Sequence, residues 1–143
     1  MASNLTFTSA PFLQGATASS TTTANTKITI LTADANYDRR VYGISITSTD
    51  GGAQTVTFWL HDGTAQYQVF VLSVAANSGN STTVAAVDLM GSVYGAAVLQ
   101  KQRDANGVPY FNLPKTWSLQ YSFNTTLLAT EVLTVLVFGE TYA

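Results

Sequence analysis

The sequence predicts an all-β fold, an antiparallel β-sandwich with little or no helix. Three observations carry that prediction. Short segments rich in β-branched and aromatic residues alternate apolar with polar positions, the period-two pattern of strands with one face on a core. Clusters of Gly, Asp, Asn and Pro punctuate those segments at short intervals, as turns between strands do. Residues 87–99 are the one place where a helical turn fits, and Gly91 and Gly95 disfavour anything longer.

Taken in order, residues 1–11 hold a brief alternation, Leu5 and Phe7, that can pair as an edge strand before Pro11 and Gly15. Residues 16–26, ATASSTTTANT, are small and polar with little to bury. Residues 1–26 therefore read as an extended N-terminal arm, either a free tail or a segment laid across a neighbouring subunit, in front of a sandwich domain over 27–143. Within that domain, 27–33 reads as a strand alternating Ile28 and Ile30 against Thr29, and 34–39 as a polar turn. Residues 40–49 put Tyr42, Ile44 and Ile46 on one face and Gly43, Ser45 and Thr47 on the other. Asp50-Gly51-Gly52 then turns the chain into residues 54–74, where Asp62-Gly63 separates two strand-like runs, a strong hairpin signal.

With those two residues as the whole turn, Leu60 faces Ala65, Phe58 faces Tyr67 and Val56 faces Val69. The expected core face is then Val56, Phe58, Leu60, Tyr67 and Val69, and Trp59, Gln66, Gln68 and Phe70 look outward. Downstream, 77–81 is a loop and 83–87 a weak strand. A tight turn at 104–107 leads to a short strand through Val108, Tyr110 and Asn112 that Pro114 stops. Residues 117–123 alternate Trp117, Leu119, Tyr121 and Phe123 with Ser118, Gln120 and Ser122. The last strand, 131–138, differs because both faces are apolar: Leu133, Val135 and Val137 on one, Val132, Leu136 and Phe138 on the other. A second apolar face in an antiparallel protein requires a cover, either another layer or another subunit.

At 143 residues the chain has the size of one domain. It contains no cysteine, so it has no disulfide and no thiolate metal ligand. Only 10% of residues are charged, against roughly 25% in ordinary soluble domains. The net charge of -2 offers no basic field for nucleic-acid phosphates. No Lys or Arg precedes Lys27 and no apolar run reaches the roughly 18 residues of a membrane span, so neither export nor a membrane is expected.

Motifs for chemistry are few. His61 beside Asp62 at the hairpin tip is the only histidine, and an Asp-Gly turn already occupies that aspartate. Asp34, Asn36 and Asp38 have the spacing of the first ligands of a calcium loop. Arg39, however, stands where that loop needs Gly, and Ser45 where it needs a bidentate Glu, so a turn is expected. No cofactor or metal is expected, and no enzyme activity. Trp59, outward between Thr57 and His61, reads either as a sugar-stacking platform or as a residue buried at an interface, and burial is favoured because Trp is enriched at interfaces.

The segments KITILTA, RRVYGISITSTDGGAQTVTFWLHDG, VDLMGSV, GVPYFNLPKTWSLQYS and LTVLVFGETY follow one another in that order. From about Thr26 onward, this order resembles the small cement, or decoration, proteins on the heads of tailed bacteriophages. The resemblance implies a jelly-roll-like β-sandwich and a homo-oligomer, commonly a trimer, that clamps neighbouring shell subunits. It carries over no catalytic residue. The expectation is therefore a structural virion protein on the capsid surface, assembled in the host cytoplasm, whose partners are its own copies and the major capsid protein. Candidate interface residues are Trp59, Phe70, Leu72, Val132, Leu136 and Phe138. The alternative expectation is a carbohydrate- or receptor-binding module of a phage fibre or similar appendage, using Trp59, Gln66 and Gln68.

Overall fold

The computed structural model describes residues 9–90 and 102–142. Those residues form ten strands: β1 (Ser9–Ser19), β2 (Ile28–Leu31), β3 (Asp38–Ser48), β4 (Gln54–His61), β5 (Gln66–Val74), β6 (Val87–Asp88), β7 (Gln102–Arg103), β8 (Pro109–Leu113), β9 (Ser118–Phe123) and β10 (Val132–Tyr142). No helix occurs among the described residues. The strands form two antiparallel sheets. Sheet A has the order β1-β10-β3-β8-β7, with β6 also on β3, and sheet B has the order β2-β9-β4-β5. Inward residues of both sheets meet in one core, including Ile44, Ile46, Leu133, Val135 and Val137 from sheet A and Val56, Phe58, Leu119, Tyr121 and Phe123 from sheet B.

The expected arm does not stand apart from the sandwich. Ser9–Ser19 is an eleven-residue strand paired along its whole length with β10. Phe12 and Ala16 pack against the core, and Ala18 is fully buried in it. The sequence concealed this strand because its inward positions are mostly small. Backbone pairing to a strongly apolar neighbour supplies what the side chains lack. Beyond it, Asn25 donates its N–H to the Phe123 carbonyl at 2.7 Å, so the end of this stretch is tied to sheet B. The Leu5 and Phe7 alternation lies outside the described residues, as does most of the expected helical turn in 87–99. Its first residues, Val87 and Asp88, pair with β3 as β6.

The hairpin forms, but with a longer loop and a different register. Asp62 accepts the N–H groups of Thr64 (2.8 Å) and Ala65 (2.7 Å) on Oδ1, and its own N–H donates to the Ala65 carbonyl at 3.2 Å. Gly63 supplies the positive φ of 98° that this loop requires. The closing pair is consequently His61 with Gln66, followed by Leu60 with Tyr67 and Trp59 with Gln68. A β-bulge then leaves Val69 without an opposite residue, and Phe58 pairs with Phe70 and Val56 with Leu72. The extra residue reverses the alternation. Phe70 and Leu72, expected to face outward, are buried in the core, and the Phe70 ring stacks on Phe58 at 4.7 Å. Tyr67, expected in the core, is 48% exposed at the tip.

Between the sheets, the Tyr121 hydroxyl donates to the carbonyls of Leu133 (3.3 Å) and Ala16 (3.5 Å). Burial pushes this phenol up to about 12. A group on β9 thus satisfies backbone on two strands of the opposite sheet, which fixes how the layers sit over each other.

Candidate functional site

The outer face of sheet A is built by β1, β10 and β3. Leu13 lies directly opposite Phe138, and Gly15 opposite Leu136. On the other side of β10, Gly43 lies opposite Phe138 and Ser45 opposite Leu136. These pairings place Leu13, Leu136 and Phe138 side by side on one surface, 69%, 40% and 50% exposed. Two glycines shape that surface. A β-carbon at Gly15 would stand 2.5 Å from Leu136 Cδ2, and one at Gly43 would stand 1.9 Å from the Phe138 ring. The two large side chains therefore lie down over neighbouring backbone and make a low apolar patch.

Beside Phe138 runs a groove of about 420 Å³, lined among others by Tyr42, Gly43, Met90, Val108 and Pro109. Next to it the Arg40 guanidinium lies 4.0 Å from the Tyr142 ring and 4.7 Å from the Tyr110 ring, and it donates to the Tyr142 hydroxyl at 2.9 Å. That hydroxyl in turn donates to Glu140 Oε2 at 2.7 Å, which holds the Tyr142 phenol well above its usual range. The polar end of the face is thus internally satisfied, and the apolar patch is what remains open among the described residues.

Of the expected interface residues, Leu136 and Phe138 belong to this patch and Val132 is half-buried on the same strand. Phe70 and Leu72 lie on sheet B, where the bulge turns them into the core. Trp59 lies elsewhere, on the outer face of sheet B. Its Nε1 donates to Ser122 Oγ at 3.0 Å, and the Lys27 ammonium sits 4.2 Å from the ring centroid. Gln66 donates to Gln120 at 2.8 Å, and Gln120 donates to Thr29 at 3.3 Å. Of the two amides expected to grip a saccharide, Gln66 is already bonded to Gln120, and a cation covers the indole. Sequence reasoning missed Leu13, Gly15 and Gly43. The alternation of Leu13, Gly15 and Thr17 against Phe12, Ala16 and Ala18 was the available signal, and its small residues made it faint.

At the hairpin tip, His61 is half-buried in the ladder between Gln66 and Ser118. The Asp62 carboxylate is held below the usual carboxylate range by the N–H groups of Ala65 and Thr64 and by the Tyr67 hydroxyl. Asp34 accepts the N–H groups of Asn36 (2.9 Å) and Tyr37 (3.1 Å), so it caps a turn. Among the described residues no group of three His, Asp or Glu side chains is placed to hold a metal ion.

No family model matches the chain, and no curated protein matches it. This corrects the identity suggested by the resemblance: virion, capsid and bacteriophage find no support in these comparisons and are not attached to the chain.

Proposed function

We propose that this chain is a structural protein that assembles as a homo-oligomer and binds the outside of a larger protein shell, where it stabilises contacts between shell subunits. One observation carries the reading: Leu13, Leu136 and Phe138 form a contiguous apolar patch on the outer face of sheet A. Covering three half-exposed side chains of this size stabilises an interface by about 3 kcal/mol per copy. A chain with 10% charged residues has little charged surface to keep such a patch from associating if it stays open.

The finer reading of the fold, a jelly roll, is supported by strand order. Leaving aside the two short strands β6 and β7, the chain places β1, β3, β8 and β10 in sheet A and β2, β4, β5 and β9 in sheet B. The orders β1-β10-β3-β8 and β2-β9-β4-β5 are those of two interlocked Greek keys. The copy number rests on the resemblance, which implies three. The glycan-binding alternative is disfavoured by the Lys27 ammonium over Trp59.

Light scattering on purified protein tests the reading. A trimer that Phe138→Asp converts to smaller species supports it. A stable monomer at micromolar concentration overturns it.

A further inference from the structure

Among the described residues each sheet is bordered on two sides, and three of those four borders are blunted against further pairing; on the β7 side of sheet A the two-residue β6 also pairs with β3. β1 carries Pro11, which has no N–H to offer, and Gly15. β2 has only four residues. β7 has two, one of them the exposed Arg103. The fourth edge, β5, is different. It runs for nine residues, QYQVFVLSV, with no charge, no proline and no glycine. Among the described residues it pairs on one side only, with β4. Its one irregularity, the bulge at Val69, lies toward the tip, and from Phe70 to Val74 the alternation is regular: Phe70, Leu72 and Val74 buried, Val71 and Ser73 exposed.

We propose that the β5 edge is where a second copy of this chain joins, two β5 strands pairing antiparallel about a two-fold axis at Val71. The strand is its own complement. Centring on one residue places positions of equal parity opposite each other, so Phe70 meets Leu72 of the second copy on the core side and Val71 meets its own mate on the outside. No like charges are opposed, because the strand has none. The pairing satisfies the open backbone row and continues one four-stranded sheet into the other. The contact is separate from the apolar patch on sheet A and does not depend on the function proposed for it.

Copy number and cross-linking test this together. Wild-type protein is expected to have an even copy number by light scattering, a dimer, or a hexamer if a threefold contact also forms. Val71→Lys, which opposes two ammonium groups at the axis, should halve the mass while circular dichroism remains that of a folded β protein. Because the chain has no cysteine, a single introduced thiol can only bridge two copies. Val71→Cys should form a covalent dimer on mild oxidation, and Ser73→Cys, displaced from its mate in this register, should not. A monomer or a trimer alone overturns the proposal, as does a folded Val71→Lys protein of unchanged mass. Equal cross-linking of the two cysteine variants also overturns it. A trimer alone would leave the sheet A reading intact.

Discussion

The Phe138 ring occupies the place where a β-carbon on residue 43 would stand, 1.9 Å from that position across the ladder between β10 and β3. This pairing of a large apolar side chain with a bare backbone position shapes the open face of sheet A. Gly139, the next residue, has a different neighbour: its β-carbon would stand 1.9 Å from the Arg40 carbonyl oxygen. One obstacle is the far end of a half-exposed side chain, and the other is backbone.

The two glycines should therefore respond differently to alanine. Gly43→Ala pushes the Phe138 ring outward and should cost about 1 kcal/mol in urea unfolding, largely recovered in the double variant with Phe138→Ala. Gly139→Ala must displace a strand and should cost about 3 kcal/mol with no such rescue.

The bulge at Val69 predicts which side of β5 is core. Phe70→Ala should destabilise by about 3–5 kcal/mol and Leu72→Ala by about 2–5 kcal/mol, as for buried side chains. Tyr67→Ala at the exposed tip should cost about 1 kcal/mol or less. The unbulged register predicts the opposite ranking, so thermal denaturation of these variants separates the two.

Tyr121→Phe removes the donor that satisfies the Leu133 and Ala16 carbonyls and should cost about 1 kcal/mol. The same phenol gives alkaline stability a sign. Its folded value of about 12 lies above the unfolded value of about 10, so its contribution is complete below pH about 10 and is lost as pH rises toward 12. Unfolding of the wild type should steepen over that window, and Tyr121→Phe should lack this component.

Asp62 acts in the opposite direction. Its folded value is depressed, first by the Ala65 and Thr64 N–H groups. Its contribution is therefore present above the unfolded value of about 3.9 and is lost as pH falls through the folded one. Protection of the amides in residues 61–66, taken relative to their intrinsic exchange rates, should fall in acid, and Asp62→Ala should show that lower protection already at neutral pH. Equal protection in the variant and the wild type at neutral pH would contradict the loop hydrogen bonds.

The sequence by itself determined the fold class, because alternation and turn residues are local signals and the strands at 40–49, 54–74, 117–123 and 131–138 all carry them. It also determined that β10 has two apolar faces, and Leu136 and Phe138 were legible as interface candidates for that reason. Tertiary structure decided the rest. Ser9–Ser19 becomes a strand only because β10 pairs with it, an energy that lies between two distant segments and not in either sequence. Phe70 and Leu72 turn inward only because the bulge at Val69 resets the hairpin's parity: the longer loop moves the register by two and keeps each face, whereas a period of two makes a single-residue step exchange core for surface.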